Sequence, residues 1–292
     1  MEGMQLFSRQ SIVNHRDRAA LDLKNSNFLF SEVAKQLVER LDEIKRQFPT
    51  MLDLGCRSGQ ISTLLDSKKK IETIIQADLS YSMAKNALRT GNPTLVCDEE
   101  YLPFREKSFD AVLSNLNLHW VNDLPGTFSQ ICHILKPDSL FLASMFGTGT
   151  LFELQDSLAN AEKITNKVIS PRISPLSDIK DIGQLLLRVG FKIPVLDNEK
   201  ITVRYSSPIK LMHDLRSMGE TNALIKRQSS FMRRDTLAAV LEHYLDVYGD
   251  NLGRVPATFQ IITLVAWSPG PDQPKPLKPG HPSVNLADFL NS

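Results

Sequence analysis

Thr50-Met51-Leu52-Asp53-Leu54-Gly55-Cys56-Arg57-Ser58-Gly59-Gln60 is the stretch that decides how this chain folds. A short, largely apolar strand breaks at a glycine turn and opens into a helical pattern. Downstream, a second apolar run, Ile74-Ile75-Gln76-Ala77, ends on Asp78. A glycine turn followed by an acid at the next strand tip is how a parallel α/β sheet grips an adenosine-bearing cofactor. The turn lets backbone pass close to the ligand, and the acid hydrogen-bonds a ribose diol. Arg57 departs from the pattern, standing where a second glycine is usual. An arginine there meets a steric penalty for positive φ and for close ligand approach. Two readings stay open. Either the arginine projects away or pairs with a cofactor carboxylate and binding is intact, or the pocket is weakened and the protein is chiefly an assembly or scaffolding partner.

Outward from this stretch the chain alternates strand and helix. Strand-like runs fall at 51–54, 72–77, 94–97, 109–114 and 139–146, with helical patterns at 59–66, 81–89 and 124–134. That alternation implies a parallel sheet covered on both faces. The continuous apolar run Phe109-Asp110-Ala111-Val112-Leu113 fits a strand buried on both sides. Before the turn, Phe28, Val33, Leu37, Leu41 and Ile44 keep close to one helical face within 17–47, and Pro49 ends that element. Beyond Phe146, helices are expected at 151–167 and 178–189, the second closed by Gly190, and at 208–218 and 233–248. Extended runs at 191–204 and 257–267 supply two late strands. The chain therefore divides into an N-terminal helical segment (1–47), a cofactor-binding core (48–146), a C-terminal part with a helical cap and the last two strands (147–268), and a tail (269–292). Pro269, Pro271, Pro274, Pro276, Pro279 and Pro282 make that tail an extended arm.

Composition narrows the function. Hydrophobic residues at 42% and charged residues at 23% supply a core and exclude global disorder. The 34 basic and 33 acidic residues leave a net charge of +1, without the positive excess of a nucleic-acid binder. Lys68-Lys69-Lys70 and Arg233-Arg234 read as solvated faces. Cys56, Cys97 and Cys132 lack metal-ligand spacing and fit a reducing compartment, with Cys56 and Cys97 as small buried apolar residues. No apolar run approaches the ~20 residues of a membrane span. There is no phosphate loop, nucleophile elbow or H-E-x-x-H motif, so kinase, hydrolase and zinc-enzyme readings fall away. His133, on a helical pattern, reads as structural.

Ligands of open parallel sheets bind at the carboxyl ends of the strands, where strand order reverses. Those ends collect Asp53 and the turn from Gly55 to Gly59, then Asp78, then Asp98 and Glu99, then Ser114-Asn115 running on through Asn117, His119 and Trp120. Each has a rival role. Asp53 can orient the turn by accepting backbone N–H bonds; Asp78 can cap the helix at 81–89, although Ser80 does so better. Asp98 leads into Leu102-Pro103-Phe104, a loop that either covers an adenine ring or is a surface turn. His119 and Trp120 are an acid/base group with a substrate platform, or a packed loop.

These residues resemble the class I S-adenosylmethionine-dependent methyltransferases: L-D-L-G-C-x-x-G (52–59), Asp78, D-E-E-Y-L-P-F (98–104), F-D-A-V-L-S-N (109–115) and L-K-P-D (135–138) match that family's core across roughly 48–146. The resemblance implies a Rossmann-like seven-stranded α/β sheet with helices on both faces and a helical cap. It also implies S-adenosyl-L-methionine as cofactor, with the glycine turn (Gly55, Gly59) on its methionine part, Asp78 on its ribose, and Asp98 with Glu99 on the adenine side. Asp53, Leu79 and Asn115 complete the expected binding set. His119, Trp120 and Asn117 are the catalytic candidates; no metal ligands are expected.

A narrower resemblance runs along nearly the whole chain. Leu6-Phe7-Ser8-Arg9, N-L-H-W-V-N-D-L-P (117–125), S-P-R-I-S-P (170–175), D-L-R-S-M-G-E-T-N-A (214–223) and V-P-A-T-F-Q-I (255–261) are similar to the complex I assembly factor 5 family and its alphaproteobacterial homologues. That family is understood to hydroxylate an arginine of a complex I subunit rather than methylate it. It implies a protein client, a complex I subunit among the candidates; the charge balance and the lack of a long apolar run point to no nucleic acid and no membrane insertion. A substrate arginine would be met by acids, for which Asp123, Asp214 and Glu220 are candidates. Two alternatives remain: a small-molecule or acyl-carrier methyltransferase, and a non-catalytic assembly chaperone. The family-like start at Leu6 suits a bacterial cytoplasm, with a processed mitochondrial matrix form as the alternative.

Overall fold

The computed structural model describes residues 5–22, 27–65, 70–165, 172, 174–227, 232–271 and 273. Seven strands form one sheet: β1 (Thr50–Leu54), β2 (Thr73–Asp78), β3 (Thr94–Val96), β4 (Phe109–Asn115), β5 (Leu135–Phe146), β6 (Lys192–Tyr205) and β7 (Val255–Trp267). Their order is β3-β2-β1-β4-β5-β7-β6. The first five run parallel, while β7 lies antiparallel to β5 and to β6. The seven-stranded α/β sheet expected from the sequence is present. β1 neighbours both β2 and β4, so the strand order reverses there and opens a crevice at the carboxyl ends. Register lines those ends up: Leu54 pairs with Ala77, and Asp53 with Leu113.

Nine helices are described: α1 (Arg9–Ala19), α2 (Phe28–Glu43), α3 (Gln60–Leu65), α4 (Tyr81–Ala87), α5 (Leu124–Ile134), α6 (Phe152–Ile164), α7 (Ile179–Val189), α8 (Pro208–Met218) and α9 (Arg234–Tyr248). Local chemistry sets their ends. The Ser80 hydroxyl accepts the Met83 N–H at the start of α4, Asp123 caps α5, and Asp178 caps α7, which Gly190 closes at φ 114°. Ser207, then Pro208 at the first helical position, starts α8, and Gly219 at φ 79° ends it.

The helix expected over 17–47 is α2, which spans Phe28–Glu43 and stops before Pro49, while residues 17–19 close a separate helix, α1, that begins at Arg9. Its last carbonyls are satisfied from outside: Lys70 Nζ donates to the carbonyls of Leu41, Asp42 and Ile44. Lys68 and Lys69, part of S-P-R-I-S-P, and all of the tail beyond 273 lie outside the described residues.

Each sheet face has its own core. Phe128, Ile131 and Ile134 of α5 and Ile182 and Leu186 of α7 pack on one face with Phe141 and Phe191, whose rings stack at 5.3 Å. Ala34, Leu37, Val38 and Leu41 of α2, with Ile61 and Leu65 of α3, cover the other. Each such aliphatic or phenyl side chain contributes about 1.5–3 kcal/mol on burial. A third cluster joins Leu29, Phe30 and Val33 of α2 to α6, α8, α9 and β7, which seats the helical cap beside the end of β4.

Candidate active site

The turn after β1 is shaped by what packs on it. A Cβ on Gly55 (φ 73°) would stand 2.1 Å from Asn117 Cγ, and one on Gly59 (φ 79°) would meet the side chains of Gln76 and Thr90. The two glycines thus make room for Asn117, just past β4, and for Gln76 of β2 with Thr90. Arg57 holds φ 50°, a left-handed conformation that costs a non-glycine residue about 1–2 kcal/mol. Asp78 offsets that cost. Its Oδ2 accepts the Arg57 N–H at 2.9 Å, and its Oδ1 accepts the Ser80 N–H at 2.8 Å. Asp78, rather than Asp53, therefore orients the turn. Asp53 is buried beside the Ser62 hydroxyl, without a well-formed hydrogen bond to either carboxyl oxygen. Burial first, then the charge of Asp78, pushes its carboxyl up to about 8, against a small opposing pull from the Ser62 hydroxyl.

Two arginines that the sequence reading did not assign lie over the strand ends. Ser8 caps α1 by accepting the Ser11 N–H. Ahead of it, Asn122 Oδ1 accepts the N–H groups of Leu6 and Phe7, and the Phe7 ring meets Trp120 edge-on at 5.4 Å. Anchored there, α1 turns Arg16 inward. Its guanidinium, 2% exposed, lies 3.4 Å from Asp78 Oδ1 and 3.1 Å from Glu99 Oε1 and donates to Asn117 Oδ1. Arg9 reaches Asp98 at 3.1 Å and also pairs with Glu99. Burial alone would raise the Glu99 carboxyl, but Arg16 and then Arg9 outweigh it and hold it at about 2. Asp78, Asp98 and Glu99 are brought together as expected, and each already has an arginine partner. The buried face of α1 reads Ile12, Arg16, Ala19. A charged residue in that stripe breaks the apolar period that would have flagged the helix.

Beyond β4, a 3₁₀ turn, Leu118–Trp120, presents His119 and Trp120. Both meet Glu220, which follows the Gly219 stop of α8. His119 Nε2 lies 3.1 Å from Glu220 Oε2, Trp120 Nε1 donates to the same oxygen at 2.8 Å, and Arg57 Nη1 donates to Oε1 at 3.2 Å. Arg57 also donates to the Met218 carbonyl, and its guanidinium sits 3.7 Å above the Phe30 ring. Of the two readings of Arg57, the side chain projects away from the turn. Burial would raise the Glu220 carboxyl, yet the His119 hydrogen bond and the charge of Arg57 keep it below its ordinary range, an ionised carboxylate. Beside it opens a cavity of about 200 Å³, walled by His119, Trp120, Phe146, Leu154, Met212 and Phe259.

Several expectations are corrected by contacts. Asn115 faces inward: Nδ2 donates to the Phe30 carbonyl and Oδ1 accepts from Ser144, so it ties α2 to β5. Leu102 and Phe104 pack against the sheet core instead of forming a cover over the crevice. Leu79, half-buried beside Phe7, Ile12 and Trp120, stands next to Asp78 as the sequence places it. Asp123 caps α5, and Asp214 pairs with Lys210, so of the three acids considered for a cationic substrate only Glu220 faces the cavity. Among the described residues no group of three or more His, Cys, Asp or Glu is disposed to hold a metal, and no helix is long and apolar enough to cross a membrane.

Comparison with known proteins agrees with this architecture. The family described as "Methyltransferase domain" matches residues 52–143. YcgJ from Bacillus subtilis superposes with a TM-score of 0.57 at 14% identity, covering 80% of this chain and 98% of that one. Phosphoethanolamine N-methyltransferase 2 from Haemonchus contortus, solved with S-adenosyl-L-methionine, superposes at 0.51 with 20% identity, over 80% of this chain and 52% of that one. At those identities the likeness concerns the fold. Fold and sequence together define an enzyme of the class I S-adenosylmethionine-dependent methyltransferase family.

Along its length the chain is 41% identical to human "Arginine-hydroxylase NDUFAF5, mitochondrial" over 290 residues, 98% of this chain and 84% of that protein. It is 38% identical to the Danio rerio protein over 292 residues, 99% and 90%. The chain belongs to the NDUFAF5 arginine-hydroxylase family. A malonyl-[acyl-carrier protein] O-methyltransferase from Methylovorus is also similar, 33% identical over 90% of each chain.

Proposed function

We propose that this protein modifies an arginine side chain of a protein client, by hydroxylation, with dioxygen as the oxygen source and a two-electron donor reducing its second atom to water, and with S-adenosylmethionine bound across the carboxyl ends of β1, β2 and β4. The observation that carries the reading is the cavity beside the end of β4, apolar along its walls and ending on the Glu220 carboxylate between His119 and Trp120. A side chain with an apolar stem and a cationic head matches those two surfaces. The identity to arginine hydroxylases over 98–99% of the chain supports the same substrate class. A complex I subunit is the client this family resemblance favours, and the setting is a bacterial cytoplasm or a mitochondrial matrix.

The residues present fit the cofactor. Buried polar atoms without partners gather at the crevice: both Asp53 oxygens, Asn117 Nδ2 and His119 Nδ1. Such orphaned groups are costly unless a polar ligand meets them. Asp78 would hold the ribose hydroxyls, Asp98 and Glu99 the adenine side, and Asp53 with the Gly55–Gly59 turn, beside Leu79, the methionine part. The cofactor, when bound, supplies a sulfonium carrying an electrophilic methyl group. Trp120 and Phe146 line the cavity with apolar surface, and His119, hydrogen-bonded through Nε2 to Glu220, would be the proton-exchanging group beside it.

Mass spectrometry of the client after incubation with the protein tests the reading. A gain of one oxygen on an arginine is expected. A gain of one methylene makes the protein a methyltransferase in reaction as well as fold, and an unmodified but tightly bound client makes it an assembly chaperone.

A further inference from the structure

We propose that Glu220 is the residue by which this site selects its substrate, accepting a planar cationic head and rejecting neutral or anionic ones; the inference rests on the reading of the cavity as a side-chain site. Charge is the first argument. The ion-paired cluster beneath α1 and α8 sets three guanidinium groups, Arg9, Arg16 and Arg57, against five carboxylates, Asp78, Asp98, Glu99, Glu100 and Glu220. Carboxylates therefore outnumber guanidinium groups in the cluster, with His119 on Glu220 as a further partner of that end. A cationic substrate suits such a site, because excess negative charge away from water is costly unless counter-ions complete it.

Geometry is the second argument. Arg57 displays how a guanidinium sits on this carboxylate: Nη1 on Oε1 at 3.2 Å, with an aromatic ring, Phe30, 3.7 Å beneath. On the cavity side His119 Nε2 and Trp120 Nε1 hold Oε2 through their ring edges, and Phe146, 4.7 Å from the His119 ring, lines the wall. An aromatic-lined cavity ending near a carboxylate favours a delocalised planar cation. Among the described residues the other charged side chain on the cavity wall, Arg172, is paired with Glu162 at 2.7 Å. A substrate with a free carboxylate at the Glu220 end would meet that charge directly.

Calorimetry on the full chain saturated with S-adenosylhomocysteine tests this. The probes are N-acetyl-arginine methylamide and its citrulline counterpart, which is planar, nearly isosteric and neutral. The arginine probe is expected to bind about tenfold more tightly, the margin of a charge-assisted hydrogen bond. Glu220→Gln should bring the ratio close to one. Glu220→Asp, which keeps the charge that Arg57 needs but withdraws it by one methylene, should lower the ratio about threefold. Equal binding by the unaltered protein, no binding of the arginine probe at millimolar concentration, or an unmoved ratio in whichever variant folds overturns the proposal. The functional reading fails separately: an unoxidised client alongside a Glu220-dependent arginine preference would leave the selectivity standing and remove the hydroxylation.

Discussion

Arg16 Nη1 stands 3.4 Å from Asp78 Oδ1, so an N-terminal helix places a positive charge on the acid that the glycine-turn pattern marks for the cofactor ribose. The two residues are 62 positions apart and both fully buried. Arg16 also bridges Glu99 and Asn117, and makes one charge the shared partner of three groups at the crevice.

Arg16→Ala leaves Asp78 and Glu99 buried without that charge. Removing one partner of a buried pair typically costs about 3–5 kcal/mol. The variant should unfold at lower temperature than the unaltered protein. S-adenosylmethionine, which brings positive charge and hydroxyl donors to the same acids, should raise its melting temperature by more than it raises that of the parent. Thermal unfolding with and without cofactor checks this, and equal shifts in the two proteins would place the cofactor away from Asp78 and Glu99.

Asp78→Ala removes an acceptor from the Arg57 turn as well as from the ribose. Hydrogen bonds to a charged group are worth about 1.5–3 kcal/mol, so cofactor affinity should fall by at least about tenfold. Titration calorimetry reads the change directly; undiminished affinity would exclude Asp78 from the binding set.

Arg57→Gly relieves a left-handed arginine but deprives Glu220 of its partner. The relief, about 1–2 kcal/mol, is smaller than the cost of breaking the buried pair, so stability should fall by about 2 kcal/mol. Because the side chain points to Glu220 and Phe30, away from the turn, cofactor affinity should change by less than about threefold. A gain beyond tenfold would revive the reading in which Arg57 weakens the pocket.

Asp53 and Glu99 give opposite pH dependences. The Glu99 carboxyl lies at about 2 in the folded protein, below its ordinary 4.5, so its contribution is present above about pH 4.5 and is lost as pH falls toward 2. Asp53 is raised from 3.8 to about 8, so the fold loses stability as pH climbs between those values. Asp53→Asn, neutral at every pH, should therefore stabilise the protein increasingly from about pH 4 to 8. Urea unfolding across that range measures the gap between variant and parent, and a gap independent of pH would mean that Asp53 is ionised in the fold.

Much of the sheet was legible. Apolar runs and two extended segments predicted all seven strands within a few residues, and the 208–218 and 124–134 helices match α8 and α5. Cap chemistry at Ser80 and Gly190 was readable because such bonds are local. The failures have a common cause. Helix α1 was missed since its inward face carries Arg16, and hydrophobic period detects only apolar burial. Asn115 reads as a ligand contact in the sequence because a polar residue at a strand tip looks free, whereas in space the Phe30 carbonyl and Ser144 engage it.

By itself, the sequence determined the α/β class, the strand-tip position of Asp53, Asp78, Asp98, Glu99 and Asn117, and the family. Strand periodicity and glycine turns are properties of neighbouring residues, so they survive in one dimension. Only the tertiary structure decided which charges neutralise which. Arg16 meets Asp78, Arg57 meets Glu220 across 163 positions, and His119 and Trp120 converge on that same carboxylate. Pairing of buried charges depends on distance and desolvation through space, which the spacing of residues along a chain does not encode.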